Sequence, residues 1–190
     1  MPRSFALQHH GGSPAPTFVS APADREPAVR VAMKTLLEQE RASARGPIEA
    51  IAGGASGSDI VFHEVCAELG IPTRLLLALP ADRYLAHSVQ DSGPKWVERF
   101  WALCHSHEPQ VLSDSNELPD WLAGITGYTI WQRNNLWTMA TGLSAERAEV
   151  TLLTVWDGKP GDGPGGTADM VRLAGERGVK VLDSIDPMKV

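Results

Sequence analysis

Residues 48–79 read IEAIAGGASGSDIVFHEVCAELGIPTRLLLAL, and this stretch decides the fold. Ile48 to Ala52 is a short apolar run that stops at Gly53-Gly54, the pattern of a strand. From Ser58 to Leu69 the period changes: Val61, Val65 and Leu69 share one helical face, Phe62 and Cys66 lie beside them, Glu64 and Glu68 point away, and Gly70 closes the helix. Thr73 to Leu79 is the nearly continuous run TRLLLAL, which suits a strand buried on both faces of a parallel sheet, and Pro80 ends it.

The same alternation continues outward. Upstream, Asp24 can cap a helix, Pro27 suits its first turn, and Val29, Met33, Leu36 and Leu37 recur at helical spacing until Gly46-Pro47. Downstream, a polar connection leads to Gly93-Pro94 and a helix with the stripe Val97, Phe100, Trp101 and Cys104, then a short strand at Gln110 to Leu112 and a loop over 113–129. A helix from about Gln132 to Leu143, a strand Val150 to Trp156, a glycine-rich turn, a helix Thr167 to Glu176 and a strand Val179 to Leu182 complete the pattern. Strands alternating with helices predict an α/β fold, a Rossmann-like three-layer sandwich with a mainly parallel sheet. The Pro-rich residues 1–23 are expected to be poorly structured or to hold one short strand near Ser4 to Gln8, with residues 24–190 as the single domain. His9-His10 stay unassigned, because adjacent histidines among Gly and Pro are more often a solvated turn than a metal pair.

Composition excludes several classes. With 190 residues, 17 Lys+Arg against 23 Asp+Glu and a formal charge of -6, the chain is one acidic domain large enough to bury its own core. No Lys/Arg block is present, which argues against nucleic acid as a partner, since that affinity comes mostly from neutralising phosphates. The two cysteines, Cys66 and Cys104, lack metal-ligand spacing and read as core residues of a cytoplasmic protein, so no metal or other cofactor is called for. No apolar run approaches the ~18 residues of a membrane span, and no membrane partner is expected.

Chemistry concentrates in two turns of the same construction, IAGGASGSDI at 51–60 and VWDGKPGDGPGGTADMV at 155–171. Each takes a buried strand through glycines into a helix, so in a parallel sheet both open at the carboxyl edge, where ligands bind. Glycines let backbone approach a ligand, and the free N–H groups of a first helical turn suit a phosphate. Gly53, Gly54, Ala55, Ser56, Gly57, Ser58 and Asp59 are candidates for one cradle, and Gly165, Gly166 and Thr167 for the other. Neither turn is a P-loop, because no Gly-Lys-Ser/Thr follows, and Ala52 stands where G-x-G-x-x-G needs its first glycine. A third element is WQRNNLW at 131–137, in which Arg133 offers a fork for phosphate or carboxylate and the amides of Asn134 and Asn135 can read a base or sugar.

These residues resemble the SLOG superfamily of Rossmann-like domains, which includes the Lonely Guy cytokinin-activating enzymes, the DNA-processing DprA/Smf proteins and sensor domains for nucleotide-derived signals. Gly53-Gly54-Ala55, Gly57, Asp59, Arg133-Asn134 and Leu143-Ser144 look like the DNA-processing branch, and Gly163 to Thr167 like the Lonely Guy branch. The whole string WDGKPGDGPGGTADMV is more like an uncharacterised bacterial branch. Over residues 24–186 the resemblance implies a site for a nucleotide or nucleotide-derived small molecule, including Asp157 at the end of its strand, and a homodimer through the helical layer. In an enzyme of this type, an N-glycosidase acting on nucleoside monophosphates, Asp169 or Glu64 would stabilise positive charge developing on the ribose. The family glutamate falls at Met170 in this sequence, with Asp169 one place early, so the resemblance favours a sensor over a hydrolase.

Overall fold

The computed structural model describes residues 3–7, 25–115, 117, 128–144, 149–159 and 165–190. In chain order these form β1 (Arg3–Leu7), α1 (Glu26–Ser43), β2 (Ile48–Ala52), α2 (Ser58–Glu68), β3 (Thr73–Leu77), α3 (Ala81–Ser88), a 3-10 turn (Gln90–Ser92), α4 (Pro94–Ser106), β4 (Gln110–Val111), α5 (Ile130–Leu143), β5 (Glu149–Leu152), α6 (Thr167–Glu176) and β6 (Lys180–Val181). The six strands make one sheet in the order β4-β3-β2-β1-β5-β6. Every pair in it is parallel. The mixed α/β architecture with a parallel sheet agrees with the sequence reading.

The topology is doubly wound. From β1 the chain steps through β2 and β3 to β4, then returns across the sheet to place β5 on the other side of β1. The strand near the amino terminus is therefore central: Arg3–Leu7 pairs with Ile48–Ala52 on one side and with Glu149–Leu152 on the other. β1 therefore belongs to the same sheet as the strands of residues 24–190. The stretch 8–24, including His9-His10, lies outside the described residues.

Packing follows strand alternation. Ile48, Ala50 and Ala52 of β2 face a core built with Val29, Met33 and Leu37 of α1 and Val61, Phe62, Val65 and Cys66 of α2. Ile51 points the opposite way, as the period of two requires, and is also buried. Leu75 and Leu77 of β3 pack with Phe100 and Leu103 of α4, while Val150 and Leu152 of β5 pack with Met139 of α5 and Met170, Leu173 and Ala174 of α6. Thus α1, α2 and α4 cover one face, and α5 and α6 cover the other. Each fully buried Leu, Ile or Phe contributes roughly 1.5–3 kcal/mol relative to exposure.

Element boundaries depart from expectation where pairing stops. The ladder of β5 ends at Leu152, yet the chain stays extended to Trp156, held by Ile185 N to Thr154 O and Trp156 N to Ile185 O, each 2.9 Å. The connection read as polar after Pro80 contains α3, a two-turn helix that buries Tyr84 and Ser88.

Candidate functional site

A crevice is defined by topology before any side chain is considered. The turn after β2 and the turn after β5 leave the same carboxyl edge, separated only by β1. Two strand spacings put the strand ends ~10 Å apart. This is the point where the winding reverses, the usual ligand position in an open parallel sheet. The turns feed α2 and α6, and neither helix has a side-chain cap; at α6 the amide of Asp169 turns back to Gly166 O at 3.1 Å. The start of α5 differs, because Thr129 and Gln132 close a reciprocal capping box.

The first turn is more tightly engaged than its glycines imply. A β-carbon on Gly53 would sit 2.7 Å from Asp59 Oδ2 and 3.0 Å from the Tyr84 hydroxyl, and one on Gly54 would sit 3.1 Å from a Phe100 ring carbon. Both glycines are thus required by packing. Their neighbouring amides are also spent inside the protein: Gly54 N donates to Tyr84 Oη at 3.3 Å, Ala55 N to Asp59 Oδ2 at 3.2 Å, and Ser56 N to Ser88 O at 3.0 Å. Ser56 Oγ meets Ser92 Oγ at 2.6 Å. The expected cradle over 53–56 is therefore internal scaffolding. What remains for a ligand is the start of α2: the amides of Gly57, Ser58 and Asp59, with Gly57 at φ 94° and open space where a β-carbon would be.

Two buried titratable groups support this turn from beneath. Asp59 is 1% exposed, and burial pushes its carboxyl up to about 7 despite the hydrogen bond from Ala55. Its Oδ1 has no partner. One helical turn on, His63 lies between Gly53 O, 3.0 Å from Nε2, and Thr73 Oγ1, 2.8 Å from Nδ1. A carbonyl only accepts, so Nε2 carries the proton and Nδ1 accepts from the Thr73 hydroxyl. Thr73 in turn accepts from His107 Nε2 at 2.9 Å. Burial above all lowers His63 to about 4, which keeps it neutral. Tyr84, buried beside Asp59, is raised by burial and then by that carboxyl's charge.

The second turn packs on α5. Gly165 has φ 94°, and a β-carbon there would meet Trp131 Cβ at 2.6 Å and Gln132 N at 3.0 Å. Asn135 Nδ2 donates to Gly165 O at 3.0 Å. The two adjacent amides thus divide: Asn135 fastens the turn, while Asn134 keeps a buried, unpartnered Oδ1. Thr167 Oγ1 at the start of α6, Ser58 Oγ at the start of α2 and Thr138 Oγ1 one turn along α5 are likewise buried without partners. Such groups cost roughly 1–3 kcal/mol each when left unsatisfied, and among the described residues Ser88 Oγ and Arg99 Nη1 share this state. Arg133 is half-buried in the first turn of α5; its backbone N–H donates to Thr129 O at 3.2 Å, and its guanidinium makes no hydrogen bond or ion pair among the described residues. Its charge and that of Asp169 both act on Tyr128. Residues 160–164 of this turn lie outside the described residues.

The candidate acids are placed differently from one another. Glu64 is taken up by arginines: Arg99 binds both carboxylate oxygens at 2.7–2.8 Å and Arg30 binds Oε2 at 2.7 Å. That cluster ties α1, α2 and α4 together, and Glu64 serves the helical layer. Asp157 closes its own turn, accepting from Lys159 N at 3.0 Å and pairing with Lys159 Nζ at 3.1 Å. Asp169 does stand at the start of α6, paired with Arg172 at 2.6 Å. Met170 is wholly buried in the core beneath α6. Sequence reading missed Tyr84 and Ser88, which sit on an unrecognised helix, and Thr138, whose only signal is its spacing of four from Asn134.

No group of three or more His, Cys, Asp or Glu side chains among the described residues is placed to hold a metal. A cavity of about 290 Å³ lies at the opposite, amino edge, by Leu143, Thr151 and Lys180. Thr151 and Lys180 there are engaged by Glu40, and Glu149 also lines the cavity. No described helix is long and apolar enough to cross a membrane. The strand order and parallel pairing define a doubly wound parallel α/β fold. Comparison with protein-family models, curated proteins and solved structures returns no match.

Proposed function

We propose that this crevice binds an anionic small molecule, a nucleotide or nucleotide derivative, and that the domain acts as a sensor of the SLOG type. The reading is supported by two helix starts without side-chain caps that follow strands ending at the same sheet edge, by the guanidinium of Arg133, which has no partner among the described residues, and by the orphaned polar atoms of Ser58, Asn134 and Thr167. Helix starts and the guanidinium supply positive potential for a phosphate, and hydroxyls and an amide suit sugar or base. Binding without hydrolysis is favoured because the third residue after Thr167 is the core residue Met170, and the neighbouring acid, Asp169, is already paired with Arg172. The charge of -6 supports a small ligand over a nucleic acid.

Calorimetry with a panel of mono-, di- and cyclic nucleotides tests this, with mass spectrometry of ligands released from the purified protein. Arg133→Lys is expected to weaken binding about tenfold, because a point charge replaces a bidentate fork. Unchanged affinity in Arg133→Ala removes Arg133 from the site. Release of free base from nucleoside monophosphates, abolished by Asp169→Asn, replaces the sensor by a hydrolase.

A further inference from the structure

Asp59 pins the first turn with one oxygen and leaves the other, buried, without a partner. We infer that Asp59 enters the ligand site as a neutral carboxylic acid, donating a hydrogen bond from Oδ1 to the anion held at the start of α2, so that binding takes up a proton. The inference rests on the crevice being the ligand site. Its basis is the company Asp59 keeps. From α3 it meets the Tyr84 hydroxyl, already used by Gly54 N. On α2 itself, His63 is neutral and committed to Gly53 and Thr73, with His107 behind it, and Glu64 is enclosed by Arg30 and Arg99. From β3 and α4 the turn meets Leu75, Leu77 and Phe100. Arg133 and Asp169 belong to the opposite wall, and no ion pair to Asp59 exists among the described residues.

A carboxylate in this position would carry full charge with one hydrogen bond and no counter-ion, and an anion on the adjacent amides of Gly57 and Ser58 would repel it. The acid form removes both penalties. The solvent supplies the proton, Oδ1 holds it, and the ligand oxygen accepts it. Asparagine at the same place keeps an acceptor for Ala55 N and offers a permanent donor, so it separates this role from mere pinning of the turn.

The probe is a cyclic mononucleotide, whose phosphodiester charge is constant across the range, titrated into the full chain and into Asp59→Asn at about pH 5.5 and about pH 8.5, with circular dichroism confirming the fold. With the carboxyl at about 7, the unmodified protein should bind about thirtyfold more weakly at the higher pH, and Asp59→Asn should bind equally at both. At the higher pH the substituted protein is then the tighter binder. Calorimetry of the unmodified protein in two buffers of different ionisation enthalpy at about pH 8 should show uptake of one proton. Equal affinity of the unmodified protein at both pH values, or no proton uptake, overturns the inference and leaves the crevice reading intact. Failure of both proteins to bind any nucleotide at either pH overturns the crevice reading and the inference with it.

Discussion

Asp59→Asn should tilt a stability profile that is nearly flat in the unmodified protein. Burial raises Asp59 from 3.8 to about 7, so the folded state keeps a proton that the unfolded chain gives up. Its stabilising effect is complete at low pH and is lost as pH rises through about 7. Burial lowers His63 from 6.5 to about 4, so here the unfolded chain holds the extra proton, and stability is complete above 6.5 and lost as pH falls toward 4. Between about pH 4.5 and 6.5 the two slopes, each about 1.4 kcal/mol per pH unit, have opposite signs and cancel. Glu64, held low by Arg99 and Arg30 although burial opposes them, adds no slope within this window, since its stabilising effect is full there and is lost only at lower pH. Asp59→Asn leaves the His63 slope alone, and the unfolding free energy from urea titrations should rise with pH by about 2–3 kcal/mol across the two units; His63→Gln should give a fall of the same size. An unmodified protein whose stability rises with pH as steeply as that of Asp59→Asn would show that Asp59 is ionised in the fold and sink the reasoning.

The remaining tests address individual contacts. Gly165→Ala combines a positive φ with a 2.6 Å approach to Trp131 and should cost at least 2–3 kcal/mol, whereas Gly57→Ala, with the same φ and open space, should cost only about 1–2 kcal/mol by thermal denaturation; equal losses would deny Trp131 its part. Phe100→Ala, which removes a fully buried ring behind Gly54, should cost about 3–5 kcal/mol in the same assay. Glu64→Gln should lower stability by on the order of 1 kcal/mol and leave nucleotide affinity unchanged, because its arginine partners lie in the helical layer; a binding loss would return Glu64 to the site.

Most of the fold was legible because its elements announce themselves locally. Ile48 to Ala52 and Thr167 to Glu176 have the bounds their apolar periods and flanking glycines predict. A short strand near Ser4 to Gln8 was legible but its central role was not, since RSFAL acquires its place only by pairing with two distant strands. α3 was hidden for a similar reason: eight residues with one large buried side chain make too short a pattern to show a period. In the site, the sequence located both turns but could not assign each glycine its cause. Whether Gly53 approaches a ligand or Asp59 is settled by the carboxylate that folds back four residues later.

That folding back explains how the turn before an uncapped helix is held in place by the protein's own groups. Tyr84, Asp59 and Ser88 each take one amide of Gly54, Ala55 and Ser56, and His63 holds the carbonyl of Gly53 from below. The turn is fixed at four consecutive residues by groups from two helices, and the next three amides, at Gly57, Ser58 and Asp59, project from a rigid base. Ordering entropy at these residues is therefore spent during folding and is not charged against a ligand. The same economy holds at α6, where Asn135 and the close packing of Gly165 on Trp131 fix the turn and leave Thr167 unpartnered. Each turn thus consists of a part that is consumed in holding its shape and a part left unsatisfied, and in both the unsatisfied part is the first residue of a helix.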